Sequence, residues 1–122
     1  MRIAKLTTSD GRVVCERCSI AESAFSRMRG LLGRSALEAG EGILLRPAGS
    51  IHTAFMRFPI DAVFLDRDLV VLKVVADLPP WRAARCAGAR AVVELRAGES
   101  ERRGIRPGEH LTLTDAAKKD TP

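Results

Sequence analysis

The stretch SIHTAFMRFPIDAVFLDRD, residues 50–68, carries the clearest indication of the fold. In residues 51–56, successive side chains would point to opposite sides of an extended chain. Pro59 has no N–H for a strand ladder, so the chain is expected to form a sheet edge, a bend or a bulge there. Asp61 and the apolar residues 62–65 that follow it are typical of a buried strand. The stretch therefore predicts sheet on both sides of the proline.

Turn residues and apolar runs predict further strands around this stretch. The turn Asp-Arg-Asp at 66–68 precedes residues 69–75, which are nearly all apolar and are predicted to form a central strand. Asp-Gly at 10–11 supplies a second hairpin turn, because glycine accepts positive φ without penalty. The other predicted strands, all short, are residues 2–8, 12–18, 43–45, 91–95 and 110–113.

One amphipathic helix is predicted near residues 20–33. Ser19 and Glu22 fit a capping box, in which side chains bond the free backbone donors of the first turn. The apolar residues at helical spacing are Ala21, Ala24, Phe25, Met28 and Leu32. A single helical turn is also expected over residues 100–103. About seven short strands and one helix predict a compact, mainly β sandwich or small barrel.

Composition is ordinary for a globular protein. The chain has 122 residues, a net charge of +5, and 46% hydrophobic and 29% charged residues. These values fit one domain over residues 1–115 and a frayed tail over 116–122. No signal peptide or membrane-spanning run is recognisable, so a soluble, cytoplasmic protein is expected. The arginines are scattered among acidic residues, which disfavours nucleic-acid binding.

Three cysteines raise the question of a metal or redox site. Cys15 and Cys18 have the spacing of a zinc or thiol pair. A structural zinc site needs four ligands, however, and only Cys86, His52 and His110 remain, each alone. Residues three apart on an extended segment are expected to point to opposite faces, which defeats joint ligation. Reduced thiols, no metal and no cofactor are therefore predicted.

His52, Asp61 and Glu94 could carry acid–base chemistry. His52 could act as a general base oriented by either carboxylate, but no serine lies in a nucleophile motif, and a satisfied structural histidine is favoured. Glu94 stands in the apolar strand AVVELRAG on the same side as Val92, so it is partly buried if Val92 is. Trp81, the one tryptophan, could cap a ligand pocket or cover one end of the core.

Several segments resemble, in their order, one known family. They are SRMRGLLGR, GILL, SIHTAFMRFPIDAVFLD, LPPWR, GARAVVELRAG and RGIRPGEHL. The positions that match the family's motifs are Met56, Phe58, Pro59, Ile60, Asp61, Phe64, Asp66, Glu94 and Gly98. On these residues the chain resembles the uncharacterised family called domain of unknown function 192, from about residue 21 to 113. The resemblance implies a compact, mainly β domain with a jelly-roll-like or barrel-like sheet arrangement, and it implies no reaction.

The combined expectation is a mainly β fold, α+β at the margin, built as a compact antiparallel sandwich or small barrel, jelly-roll-like, with the helix near residues 20–33. The first functional hypothesis is a non-enzymatic domain that binds a small molecule or a protein partner. Its predicted ligand site comprises His52, Thr53, Met56, Asp61, Trp81 and Glu94. The alternatives are a hydrolase-type enzyme using His52 with Asp61 or Glu94, and a thiol or metal-binding protein using Cys15, Cys18 and Cys86.

Overall fold

The computed structural model of the protein describes residues 2–23 and 34–115. This part of the chain contains nine strands and one short helix. In chain order they are β1 Arg2–Thr8, β2 Val13–Ala21, β3 Glu41–Leu45, β4 Ser50–His52, β5 Ile60–Leu65, β6 Val71–Leu78, β7 Ala83–Arg85, β8 Ala91–Arg96, α1 Glu99–Arg102 and β9 Leu111–Asp115. The mainly β prediction is confirmed. No helix in the described ranges is both long and apolar enough to cross a membrane.

Seven strands form one sheet in the order β6-β5-β8-β3-β2-β1-β9, and β4 pairs with β7 in a separate two-stranded sheet. The β2–β3 pair is parallel, whereas the other pairs are antiparallel. A single bridge between Val70 and His110 joins the chain just before β6 to the chain just before β9. The two edges of the large sheet therefore approach each other at one end, although the sheet does not close into a barrel.

Each face of the large sheet carries an aliphatic core. One core includes Val71 of β6 and Leu111 of β9, so the sheet curls around residues from both of its edges. The other core contains Phe64 and Val92 and is covered by Ile51 of the small sheet. Strand β5 contributes alternately to both cores, and all six of its residues are buried. This two-sided burial explains the continuous apolar run in its sequence.

Three details of the sequence prediction are wrong. Residues 19–21 belong to β2, with Ser19 paired to Ile3 and Ile43, so the predicted helix cannot begin with a capping box at Ser19. The rest of that helix, residues 24–33, lies outside the described residues, as does the tail 116–122. Strand β6 is at an edge rather than in the centre, and several of its side chains are exposed. Finally, β4 ends at His52, because the chain turns over residues 53–56.

Asp61 is a buried carboxylate that joins three elements. It is fully buried on β5. Its Oδ1 accepts the N–H of Asp77 in β6 at 2.8 Å, and its Oδ2 accepts the N–H groups of Gly98 and Ser100 at 3.1 and 2.9 Å. The Ser100 hydroxyl also donates to Oδ2, at 2.6 Å. Four donors around one carboxylate fix α1 and the bend at Asp77 against β5.

We expect Asp61→Ala to lower the free energy of unfolding by about 3 kcal/mol or more, because buried donors would lose their acceptor. Asp68→Ala is the matched control, since Asp68 is an exposed turn residue, and it should cost at most about 0.5 kcal/mol. Urea denaturation of both variants provides the measurement. Equal stability of the two variants would refute the role given to Asp61.

Candidate functional site

A groove lies between the edge of the large sheet and the small sheet. Strand β6 forms one wall, and β4 and β7 form the other. The groove is open to solvent and has a volume of about 810 Å³, which is in the range of small-molecule sites. The residues that line it are Ser50, Ile51, His52, Lys73, Val75, Leu78, Ala83, Ala84 and Arg85.

The groove combines an apolar floor with a basic rim. Val75 and Ala84 pack against the second core, and Leu78 belongs to it. Lys73 and Arg85 are exposed, and the Lys73 Nζ donates to the Arg85 carbonyl across the groove at 3.2 Å. The nine lining residues include no aspartate or glutamate. An anionic group with an apolar body would match both parts of this surface.

Thr53 connects the small sheet to the loop that follows β6. Its side chain is fully buried; the hydroxyl donates to the Pro79 carbonyl at 2.7 Å and accepts the Arg82 N–H at 2.8 Å. Its N–H donates to the Arg82 carbonyl, and its own carbonyl accepts the N–H groups of Met56 and Trp81. One residue thus holds two loops together through main-chain and side-chain bonds.

Phe55 and Trp81 form an exposed aromatic pair at the end of the small sheet. Their ring centroids are 4.7 Å apart, with 60° between the planes, the edge-to-face geometry that aromatic rings prefer. Phe55 is 71% exposed and Trp81 is 60% exposed. Both have positive φ, 65° and 66°, a conformation that costs energy for residues with a bulky side chain.

The structure brings some of the predicted site residues together and separates others. His52 lines the groove, and Thr53 and Trp81 are joined by a main-chain hydrogen bond. Met56 is buried in the second core, 7% exposed. Asp61 pairs across the ladder with Leu95 of the first core, whereas Glu94 pairs with Ala62 of the second core. The two carboxylates therefore lie on opposite faces of the sheet.

Glu94 is a buried carboxyl in the middle of the sheet. It is 4% exposed, and Val92 on the same side is fully buried, as the alternation of the strand indicated. Burial raises the pKa of Glu94 to about 7, because the charged form is poorly solvated in this position. A carboxyl of this kind is only partly ionised near neutral pH.

Cys15 and Cys18 lie on the same face, contrary to the prediction. Cys15 pairs with Leu6 and Cys18 with Ala4, and a bulge between these pairs adds one residue to β2. Both side chains are therefore buried in the first core. The hydrogen bond between the two thiols lowers the pKa of Cys15 and, together with burial, raises the pKa of Cys18.

No cluster of three or more potential metal ligands occurs in the described part of the chain. Cys86 packs beside the second core, on the other face of the sheet from the Cys15–Cys18 pair. The three cysteines therefore do not converge on one site.

Sequence reasoning missed Phe55, Lys73 and Arg85. Alternation placed Phe55 on the same side as Ile51 and Thr53, which are buried, but the chain leaves the strand after His52 and turns Phe55 outward. Lys73 could have been recognised from the sequence, because it is the one charged residue in the run LVVLKVV. A charge on a half-buried strand indicates a face that is not fully packed. Nothing local to Arg85 distinguishes it from the other arginines.

The comparisons identify a family and two similar folds. The model of the family described as "Uncharacterized ACR", domain of unknown function 192, matches residues 5–113. A Novosphingobium aromaticivorans protein of unknown function is 25% identical, with a TM-score of 0.78 over 90% of this chain and 83% of its own. A Sinorhizobium meliloti protein, described provisionally as a transcription regulator, is 22% identical, with a TM-score of 0.80 over 92% of each chain. No curated protein matches the chain.

We expect Glu94 to make stability fall as pH rises from about 4.5 to about 7. Because the pKa is raised in the folded state, the folded protein binds the proton more tightly than the unfolded chain, and the loss should total about 3 kcal/mol. Glu94→Gln removes this loss, so the variant should exceed the wild type in stability at pH 8 and match it near pH 4. Denaturant titrations across this range measure the difference.

Glu101→Gln, at an exposed position of α1, is the control for a lost surface carboxylate. If the difference in unfolding free energy between the wild type and Glu94→Gln were constant across the pH range, the pKa assigned to Glu94 would be wrong.

Proposed function

We propose that this chain, which belongs to the family domain of unknown function 192, is a non-enzymatic domain that binds a small molecule. The molecule carries an anionic group and an apolar body, and it occupies the groove between β6 and the β4–β7 sheet. The single observation that carries this proposal is the groove itself, with its apolar floor and basic rim. Hydrophobic lining with a few placed polar groups is the usual character of a small-molecule site.

The charges of the groove support an anionic ligand. The Lys73 ammonium and the Arg85 guanidinium are on opposite walls and are both exposed. His52 adds a third nitrogen-bearing side chain on the β4 wall. A carboxylate, sulfate or phosphate between the walls would gain charge-assisted hydrogen bonds, while a cationic ligand would face repulsion without an acidic partner.

The hydrolase alternative draws less support from the arrangement of the same residues. Both oxygens of Asp61 already accept hydrogen bonds from within the protein. In the described part of the chain, no hydrogen bond links His52 to Asp61 or to Glu94. A general base needs an orienting partner and a nucleophile or water within reach, and the carboxylates proposed for that role are engaged or on a buried strand.

We expect decanoate, below its micellar concentration, to raise the melting temperature of the protein increasingly with its concentration, because a ligand that binds the native state stabilises it. Decanol and decyltrimethylammonium keep the apolar body but lack the negative charge, so they should give a much smaller shift. Thermal melts with each compound, followed by calorimetric titration, provide the measurement. Stabilisation by the cationic analogue equal to that by decanoate would refute anion recognition.

Three variants locate the ligand. Lys73→Met and Arg85→Gln should each weaken decanoate binding about tenfold, the effect of losing one charge-assisted hydrogen bond. Ala84→Trp should abolish binding by filling the groove. Arg106→Gln, an exposed arginine in the turn before β9, is the matched control and should bind as the wild type does. Unchanged binding by Ala84→Trp would place the ligand elsewhere.

A further inference from the structure

We propose that Phe55 and Trp81 form an apolar wedge that docks the protein on the surface of an anionic lipid bilayer. The inference goes beyond the groove ligand and does not depend on it. It rests on three properties of the loops that carry the two aromatic residues, namely exposure, backbone conformation and charge.

Exposure distinguishes the pair from ordinary surface hydrophobics. Single exposed apolar side chains are common and need no explanation. Phe55 and Trp81, however, are in contact with each other and still 71% and 60% exposed, whereas Ile3, the other exposed large hydrophobic in the described ranges, is 41% exposed and lies on β1. Tryptophan and phenylalanine are the side chains that amphipathic segments place at the boundary between headgroups and acyl chains.

Backbone conformation shows that the exposure is built into the structure. Both residues have positive φ, which side chains other than glycine adopt only when the surroundings enforce it. The enforcing contacts come from Thr53, whose carbonyl accepts the N–H of Trp81 itself and the N–H of Met56, the residue after Phe55. Met56 points into the core while its neighbour Phe55 points to solvent. The fold therefore holds two residues in an unfavourable backbone conformation, although their rings do not stabilise its core.

Charge around the pair suits an anionic surface. Residues 50–60 and 78–90, which carry the two rings, contain no aspartate or glutamate. They contain four arginines, all exposed, which are Arg57, Arg82, Arg85 and Arg90. Basic residues beside an apolar wedge add electrostatic attraction to anionic lipids. The acidic residues that directly flank these ranges are Asp61, which is buried, and Asp77, which is exposed.

A bilayer fits the geometry of the rings better than single-stranded nucleic acid does. Nucleic-acid grooves present ring faces on which successive bases stack. Here the two rings are in edge-to-face contact with their centroids 4.7 Å apart, so the pair is one contiguous wedge and no base can stack between the rings. A wedge of this kind can insert among lipid headgroups as a unit.

Trp81 is the one tryptophan of the chain, so its fluorescence reports directly on the proposed surface. The full chain is titrated with vesicles of equimolar phosphatidylcholine and phosphatidylglycerol, and separately with phosphatidylcholine alone. We expect a blue shift of the emission with the mixed vesicles, binding at least about tenfold weaker to the neutral ones, and further weakening with added salt. Absence of a blue shift with the mixed vesicles, or equal binding to both, would overturn the proposal.

Variants separate the contribution of the aromatic wedge from that of the arginines, and co-sedimentation with vesicles is the second readout. Phe55→Ser should lower vesicle affinity about tenfold by removing half of the wedge, and the double variant Arg57→Gln/Arg82→Gln should remove most of the preference for anionic lipid. Ile3→Ser and Arg2→Gln, both on β1, are the matched controls and should bind as the wild type does. Because these variants keep Trp81, the test stands even if Trp81→Ala fails to fold.

Two further results discriminate between explanations. Ala84→Trp, assayed by co-sedimentation alone, fills the groove and should retain vesicle binding, so failure of the groove proposal and failure of this one are distinguishable. An oligothymidylate that shifts Trp81 emission at lower concentration than the vesicles do, with the shift lost in Phe55→Ser, would overturn lipid docking in favour of nucleic-acid binding.

Discussion

The proposed binding face depends on one buried threonine. The Thr53 hydroxyl bridges the Pro79 carbonyl and the Arg82 N–H, and the main chain of Thr53 bonds to Met56, Trp81 and Arg82. These contacts place β7 beside β4 and hold both aromatic residues in their unusual conformation. Because a buried hydroxyl that loses its partners is costly, the two loops are held in one relative position. The groove and the wedge are both consequences of that position.

Apart from its edge strand β6, the large sheet has a different role, which is to support the loops and the small sheet. Its two cores are almost entirely aliphatic. The surroundings of its two buried carboxylates, Asp61 and Glu94, differ. Asp61 is surrounded by donors and fixes α1, whereas Glu94 is buried with a pKa raised to about 7. The first is a structural acceptor, and the second is a group whose protonation is linked to stability. The proposed recognition thus involves the loops, the small sheet and the neighbouring edge strand β6.

Sequence patterns predicted the parts of the fold that local rules govern. Apolar runs and turn residues located the hairpins β1–β2 and β5–β6, and strand alternation predicted the burial of Glu94 beside Val92. The errors arose where long-range pairing prevails over local preference. Ser19 has the form of a helix cap, but it lies in the sheet between Ile3 and Ile43. A bulge turned Cys15 and Cys18 to one face, and the Thr53 contacts that turn Phe55 outward involve residues about 30 positions away.

Amide hydrogen exchange of the wild type and of Thr53→Val tests whether this one residue organises the binding face. Valine keeps the shape of threonine and removes the hydroxyl. The expected result is that the Met56, Trp81 and Arg82 amides are protected in the wild type and lose protection in the variant, while the amides of β5 and β8 keep theirs. Fast exchange of the three loop amides in the wild type, or unchanged protection in Thr53→Val, would contradict the organising role of Thr53.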